Sequence, residues 1–203
     1  MKRSFKHWTP LYIRSRIKNY FYYRNNPDKP WLTQDSNKFL EQYLTKEDNV
    51  LEFGSGGSTL FFAKKCKHIV TFEHDILWYN KIITEIKKKD LKNIQLNYFQ
   101  DESYYKEVNK LNDQFFDVVL VDGIFRAECT KLSLPKIKNG GILIIDNANW
   151  YLPNNSLSPN SKRKFEENNE DRKWVEVFEQ IKAWRKFWTT NFVTDTLILF
   201  KPY

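Results

Sequence analysis

The 203-residue sequence has little cysteine, no long apolar run and no acidic residue among its first 24 positions. Its two cysteines, Cys66 and Cys129, are too few for a disulfide framework or for a zinc site with four cysteine ligands. No run approaches the ~18 apolar residues of a membrane-spanning helix, and the N-terminus lacks the apolar stretch of a secretory signal. We therefore expect a cytoplasmic protein with reduced thiols.

The composition excludes a wholly disordered chain. Hydrophobic residues make up 41% of the sequence and aromatic residues 17%, whereas disordered chains contain few aromatics. A chain of this length is expected to form one domain with a substantial core, with room for an appendage. We predict a basic helical arm at residues 1–30 and a single catalytic domain at residues 31–203.

The formal net charge of +8 is concentrated in the arm. Residues 1–24 have a charge of +7, contributed by Lys2, Arg3, Lys6, Arg14, Arg16, Lys18 and Arg24. The remaining 26 basic residues face 25 acidic ones, so the domain itself is nearly neutral. A groove for nucleic acid would spread its basic residues over the domain, and nucleic acid is therefore not the expected partner.

The arm has the apolar spacing of an amphipathic helix at residues 10–24. Pro10 suits a first helical turn, and Ile13, Ile17 and Phe21 recur at intervals of four residues. Such a helix has three alternative partners: its own domain, a membrane surface, or a polyanion. Peripheral membrane contact through residues 1–24 thus remains one of the expectations.

From residue 50 onward, strand-like and helix-like segments alternate. Strands are predicted at 50–53, 68–73, 93–99, 116–122 and 142–146, and helices at 34–44, 58–66, 76–89, 102–111 and 125–134. This alternation predicts an α/β fold, a three-layer Rossmann-like sandwich with a mostly parallel sheet. Right-handed crossovers place the carboxyl ends of the strands at one edge, where ligands bind in such sheets.

The C-terminal part of the chain is polar before it becomes apolar again. Residues 153–173 predict a mobile loop near the site, with a short helix at 163–168. Alternating β-branched and aromatic residues favour a strand at 174–178, and residues 194–200 predict a final strand. The two would form an antiparallel pair at the C-terminal edge of the sheet.

A glycine-rich loop follows the first strand. The loop Glu52-Phe53-Gly54-Ser55-Gly56-Gly57-Ser58 lies between a predicted strand and a predicted helix. Glycine lets the backbone approach a ligand closely, and a helix N-terminus favours an anionic group. The dinucleotide pattern G-x-G-x-x-G is incomplete here, because Thr59 stands at the position of the third glycine.

This loop resembles the first motif of the class I S-adenosylmethionine (SAM)-dependent methyltransferases, in which an acidic residue precedes three alternating glycines. Glu52, Gly54 and Gly56 match that motif, while Ser58 replaces the last glycine beside Gly57. Four further motifs follow in order between residues 48 and 148. They are Glu73-His74 after the second strand, Gln100-Asp101 after the third, the segment Phe116–Gly123 that ends in Asp122-Gly123, and the segment Lys138–Asn147.

The resemblance implies SAM as the cofactor. It implies that Gly54, Ser55, Gly56, Gly57 and Ser58 hold the amino-acid part of SAM. It further implies that Glu73, with His74 beside it, binds the ribose and that Gln100 or Asp101 contacts the adenine, with Asp122 close to the cofactor. An alternative for Glu73 is that it caps the following helix.

Two carboxylates, Asp122 and Asp146, end neighbouring predicted strands and are candidates for the general base or for acceptor binding. Together with Asn147 they also resemble the Mg²⁺ ligands of catechol-type O-methyltransferases. Those enzymes have a lysine base shortly after the first Asp, whereas this sequence has Arg126, which stays protonated and suits an anionic substrate group. Magnesium is therefore not favoured, and a further alternative is that Asp146 and Asn147 simply form a turn.

These features predict a SAM-dependent methyltransferase that acts on the oxygen of a small-molecule or sugar acceptor. The Asp122, Arg126 and Asp146-Asn147 arrangement, with the C-terminal Thr196–Pro202, resembles bacterial methyltransferases linked to surface-glycan biosynthesis. Two alternatives remain. The arm suits an RNA methyltransferase, or a noncatalytic domain tethered to a membrane surface.

Overall fold

The computed structural model describes residues 8–203, so Lys2, Arg3 and Lys6 lie outside the described part. Nearly all elements predicted up to residue 146 are present. The strands are β1 (Asn49–Phe53), β2 (His68–Glu73), β3 (Ile94–Tyr98), β4 (Phe116–Val121), β5 (Ile137–Asp146), β6 (Arg185–Thr190) and β7 (Asp195–Phe200). The helices are α1 (Pro10–Asn25), α2 (Gln34–Tyr43), α3 (Gly57–Lys65), α4 (Ile76–Lys88), α5 (Ser103–Lys106), α6 (Arg126–Ser133), α7 (Ala148–Tyr151) and α8 (Asn169–Ile181).

The seven strands form one sheet in the order β3-β2-β1-β4-β5-β7-β6. The pairs from β3 through to β5 are parallel, and β7 is antiparallel to both β5 and β6. This confirms the predicted Rossmann-like fold with its antiparallel C-terminal edge. The strand order reverses between β1 and β4, and ligands bind at such switch points in open α/β sheets.

The central strands are buried on both faces, which explains their continuous apolar sequence. All five residues of β1 and the last four of β4 are buried. One apolar cluster includes Val119, Trp174 and Ile181, and the cluster on the opposite face includes Leu40, Phe62 and Ile144. The helices thus cover the sheet from two sides and fix the carboxyl ends of β1, β2, β4 and β5 at one edge.

Three predictions for the C-terminal region are wrong. Residues 174–178 lie in α8, not in a strand, because Trp174, Val177 and Ile181 at helical spacing all bury their side chains in the core. The strand that pairs with β7 is the later β6. Residues 163–168 form no helix. The helix predicted at residues 102–111 is present, divided into α5 and a 3-10 helix at Glu107–Lys110.

The loop between α7 and α8, for which mobility is predicted, makes hydrogen bonds within itself and to the two helices that flank it. The Lys162 ammonium contacts both carboxylate oxygens of the buried Asp171 at 2.7 Å. Arg163 donates to the carbonyl oxygens of Asn154 and Ser156, and the Asn149 amide donates to the Pro159 carbonyl at 3.1 Å. The loop therefore lies beside the carboxyl end of β5, held by these contacts to α7 and α8.

The predicted arm helix is present as α1 and begins after the N-cap Thr9, whose hydroxyl accepts from the Tyr12 N–H. One side of α1 rests on the domain. Tyr12 and Asn19 are buried, and the Tyr23 hydroxyl donates to the Leu32 carbonyl. Among residues 8–203, no helix has the length and apolar character needed to cross a membrane.

Candidate functional site

The glycine loop turns sharply where β1 ends, and Gly54 makes this turn sterically feasible. Gly54 has φ +92°, and a Cβ at this position would lie 2.9 Å from the Gly123 nitrogen and 3.0 Å from the Asp122 carbonyl carbon. A side chain at position 54 would therefore be strained and would collide with the backbone after β4. The loops after β1 and β4 approach each other this closely only because residue 54 is glycine.

Glu73 joins the glycine loop to the loop after β2. One of its carboxylate oxygens accepts from the Ser55 N–H at 2.9 Å and the Ser55 hydroxyl at 2.7 Å. The other accepts from the His74 and Asp75 N–H groups at 2.8 and 2.9 Å. Glu73 is not the helix cap, because the N-cap of α4 is Asp75, which accepts from the N–H groups of Leu77 and Trp78.

A cavity of about 240 Å³ opens at this edge of the sheet. Five of the predicted cofactor residues line it together with three further residues. The predicted residues are Gly54, Ser55, Glu73, His74 and Asp122, and the additional ones are Asp75, Trp78 and Gly123. The Trp78 indole donates to the Ser55 carbonyl and closes one side of the cavity. The geometry thus brings the first, second and fourth motifs together.

Other predicted cofactor residues lie away from this cavity. A Cβ on Gly57 would lie 2.9 Å from the Lys29 carbonyl oxygen, so this glycine serves the packing of the arm's linker. Ser58 is buried in α3. Asp101 accepts from the Ser103 N–H at 2.8 Å, and neither Asp101 nor Gln100 lines the cavity. Gly56 precedes α3 and lies beside the Trp78 ring.

Glu52 lies beneath the loop and is completely buried. The Gly56 N–H donates to the Thr59 hydroxyl at 2.9 Å, and that hydroxyl donates to a Glu52 carboxylate oxygen at 2.6 Å. Burial raises the pKa of Glu52 to about 7, since the charged form loses its hydration. Glu52 therefore supports the loop from inside the domain and does not face the cavity.

A Glu52→Gln variant is expected to gain stability relative to the wild type as the pH rises. The folded-state pKa lies above the unfolded one, so ionising Glu52 destabilises the wild type between about pH 4.5 and 7. The difference in unfolding free energy between variant and wild type should grow by on the order of 3 kcal/mol from pH 4.5 to 8.5. Urea denaturation measures this difference, and Glu47→Gln at an exposed position is the matched control.

Arg126 lies between the loops after β4 and β5 and uses its guanidinium entirely within the protein. It donates to the carboxylate of Asp122 at 2.9 Å and to the amide oxygen of Asn147 at 3.1 Å. It also donates to the backbone carbonyls of Asp122, Gly123 and Asp146. These contacts contradict the expectation that Arg126 has donors free for a substrate anion; instead it clamps the two strand ends together.

Asp122 and Asp146 differ in their access to the cavity. Asp122 has 28% of its side chain exposed and lines the cavity, whereas Asp146 is 4% exposed and accepts from the Thr196 hydroxyl at 3.0 Å. Burial raises the pKa of Asp122, and Arg126 partly opposes this effect. Burial and the neighbouring Asp122 raise the pKa of Asp146 well above its ordinary range. Of the two, Asp122 is the carboxylate that a bound ligand can reach.

The predicted magnesium ligands do not fit a metal ion in this arrangement. The Arg126 guanidinium already occupies the space between Asp122 and Asn147, and the Asn147 amide donates to Thr194. A divalent cation there would lie against a permanent positive charge. Asn147 adopts a left-handed conformation with φ 52° before α7, which agrees with the alternative that these residues form a turn.

A second cavity of about 380 Å³ lies at the turn between β6 and β7. It is bounded by Leu157, Trp188 and Phe192 together with the polar Asn154, Asn155, Ser156 and Thr190. The Asn147–Thr194 hydrogen bond connects this turn to the end of β5. The cavity therefore lies on the same edge of the sheet as Asp122 and Asp146.

No protein-family model and no curated protein matches this chain. Solved structures with similar folds include an rRNA methylase from Streptococcus thermophilus, 15% identical, with 83% of this chain and 95% of that chain covered and a TM-score of 0.57. They include a Streptococcus mutans protein in complex with SAH, 16% identical, with coverages of 83% and 96% and a TM-score of 0.57. Precorrin 8w decarboxylase from Methanobacterium thermoautotrophicum is 14% identical, with coverages of 87% and 95% and a TM-score of 0.56.

At identities this low, the comparisons establish the fold and not the reaction. One of these neighbours is named for rRNA and another for a precorrin, so proteins with this fold act on different molecules. Within residues 8–203, the sheet order, the parallel strands and the antiparallel edge agree with the motifs read from the sequence. The chain therefore has the Rossmann-like fold of the class I methyltransferases, as its motifs predict.

Proposed function

We propose that this protein is a SAM-dependent methyltransferase that transfers the methyl group to an oxygen of a small-molecule or sugar acceptor. The observation that carries the proposal is the cavity formed by the ends of β1, β2 and β4, lined by Gly54, Glu73 and Asp122. These residues come from three separate motifs that resemble the class I methyltransferases, and the fold brings them together. The presence of SAH in a structural neighbour supports the choice of cofactor.

The residues around the cavity fit a SAM molecule in charge and shape. Gly54 lets the backbone curve around a ligand, and the acidic Glu73 and Asp122 on the cavity wall suit the positively charged sulfur of SAM. The Trp78 ring forms an apolar wall suited to the adenosine part. When bound, SAM supplies a methyl group on a positively charged sulfur, which is displaced in line by the acceptor oxygen.

Glu73 is proposed to bind the ribose hydroxyls, although its oxygens accept from Ser55, His74 and Asp75 in the structure described here. A carboxylate has about four acceptor positions, so ribose binding requires that Glu73 exchange one of these bonds for a hydroxyl. The Ser55 hydroxyl is the partner that can rotate away. Glu73 then both shapes the loop and recognises the sugar.

Asp122 is the proposed base that accepts the proton of the acceptor hydroxyl. It is accessible from the cavity and has a raised pKa, which brings its basicity closer to that needed at neutral pH. Arg126 and Asp146 hold it in place from behind. The cavity at the β6–β7 turn, with aromatic and amide side chains, is the proposed acceptor site, and the chemistry there requires no metal.

A titration of S-adenosylhomocysteine (SAH) by calorimetry tests the cofactor assignment. The wild type should bind SAH, and Glu73→Gln should lower the affinity at least tenfold, because hydrogen bonds to a charged group contribute about 1.5–3 kcal/mol. Glu102→Gln, which changes an exposed glutamate, is the matched control and should bind normally. Melting curves establish that each variant is folded.

The same titration separates the proposal from its alternatives. Absence of SAH binding in the folded wild type would overturn the cofactor assignment and favour a noncatalytic domain. Tight binding of NADH instead would overturn it in favour of a dinucleotide cofactor. Methyl transfer from labelled SAM to a panel of sugars and phenols then tests the acceptor class. Transfer only to RNA would contradict the small-molecule acceptor while leaving the cofactor assignment intact.

A further inference from the structure

The helix α1 directs its aliphatic residues away from the domain. Ile13, Ile17 and Phe21 lie four residues apart on one side and are 40%, 54% and 55% exposed, with Tyr20 beside them at 60%. The opposite side contains Asn19 and Tyr23, which form hydrogen bonds with Gln34 and the Leu32 carbonyl. A helix that only docks on its own domain buries its apolar side against that domain. In α1 the side with Ile13, Ile17 and Phe21 is exposed instead.

Basic residues flank this outward strip on both sides. At 100° per residue, Arg14 and Lys18 lie along one border of the strip, and Arg16 lies along the other. Within residues 8–203, no carboxylate forms a salt bridge with these cations or with Arg24, and residues 1–24 contain no acid. The strip and its basic borders together form the outward face of α1.

We propose that the outward face of α1 binds the surface of an anionic lipid bilayer. An apolar strip flanked by lysine and arginine is the arrangement by which interfacial helices insert between headgroups while their cations contact lipid phosphates. A tyrosine beside the strip suits the membrane–water boundary. The charge of the arm is complementary to such a surface.

Two other occupants explain the outward face less well. A second copy of this chain would bring an equally basic helix against it, and the charges would repel each other. RNA would pair with the cations and its bases would stack on Tyr20 and Phe21, but Ile13 and Ile17 would stay exposed to water. The bilayer is the partner that uses both the strip and its borders.

Co-sedimentation of the full-length protein with vesicles tests the proposal. Vesicles of phosphatidylcholine and phosphatidylglycerol (70:30) should bind the protein, pure phosphatidylcholine vesicles should bind at least tenfold less, and added salt should weaken the binding. Ile17→Glu should lower the partition coefficient at least tenfold. The matched control is Leu77→Glu, which introduces the same charge at a position 79% exposed on α4 and should change it less than threefold.

A second pair of variants tests the basic borders. The double variant Arg14→Gln/Lys18→Gln should lower the partition coefficient more than tenfold, because each cation near an anionic surface raises that coefficient roughly fivefold. The control double variant Lys38→Gln/Lys92→Gln also removes two positive charges, at exposed positions outside α1, and should lower the partition coefficient less. Melting curves verify folding, and Phe21→Ser replaces Ile17→Glu if the latter unfolds.

The proposal would be overturned by any of three results. The first is equal binding to both vesicle types, or none to either. The second is a loss in Leu77→Glu as large as in Ile17→Glu. The third is evidence for a different occupant of the outward face. Light scattering would show a dimer that Ile17→Glu dissociates, or the protein would bind a 20-nucleotide RNA through Arg14 and Lys18 and would not bind vesicles.

Discussion

Replacement of Arg126 with methionine should destabilise the domain by about 3–5 kcal/mol, the cost of breaking a buried ion pair by removing one partner. The guanidinium is 11% exposed and neutralises Asp122 at 2.9 Å. It also satisfies three backbone carbonyls at the ends of β4 and β5. Methionine preserves the apolar stem but leaves the partly exposed Asp122 and the buried Asp146 without a counter-charge.

The pH dependence of this variant distinguishes a lost charge from lost packing. With the cation removed, the pKa values of Asp122 and Asp146 should rise further, so the folded variant takes up protons more readily than the unfolded chain. Its deficit in unfolding free energy should therefore be largest at pH 8 and shrink toward pH 5. Urea denaturation at both pH values measures this.

Two companion variants control the Arg126 experiment. Lys131→Met removes an exposed cation from the same helix and should cost less than about 1 kcal/mol. Adding Asp146→Asn to Arg126→Met should restore part of the lost stability, because one buried charge disappears while its oxygen still accepts from Thr196. A deficit below about 1 kcal/mol in Arg126→Met would contradict the role of Arg126 as the internal counter-charge.

Gly54→Ala should lower the unfolding free energy by about 2–5 kcal/mol, combining backbone strain with overpacking. The conformation at φ +92° disfavours any side chain, and the added Cβ would press on the backbone of Asp122 and Gly123. Because this backbone lines the cavity, SAH affinity should fall as well. Thermal denaturation and calorimetry of the purified variant measure the two effects.

Gly56→Ala is the matched control two residues along the same loop. Its Cβ would lie 3.7 Å from the Trp78 indole nitrogen, an ordinary van der Waals distance. The variant should lose less than about 1 kcal/mol of stability. If Gly54→Ala proved as stable as Gly56→Ala, the close approach of the loops after β1 and β4 would not constrain the fold as described.

The sequence was sufficient to predict the sheet because its central strands are buried on both faces and therefore apolar throughout. The strand prediction failed at residues 174–178, where β-branched and aromatic residues favour a strand but tertiary packing of Trp174 and Val177 selects a helix. Strand β5 begins at Ile137, five residues before the predicted start at residue 142. Glycine inside a strand marks an irregularity, and the register between β4 and β5 does shift close to Gly140 and Gly141, so these two glycines did not mark the start of the strand.

The candidate site was predictable in residue type but not in hydrogen-bond partners. Motif spacing placed Gly54, Glu73 and Asp122 at one edge of the sheet, and the structure brings them together. Spacing alone did not show that Glu73 is bound to Ser55 or that the Arg126 donors are all used within the protein, because such contacts depend on how two loops meet. For the same reason spacing alone could not decide whether Trp78 flanks the cavity or only packs, and the structure brings its ring to the cavity from α4.

The most direct test of the central claim is a crystal structure of the full-length protein grown with SAH. The account predicts electron density in the cavity, with the homocysteine carboxylate near the glycine loop and the ribose hydroxyls within hydrogen-bond distance of the Glu73 carboxylate. Density for SAH at another place, or a cavity without SAH at saturating concentration, would contradict it.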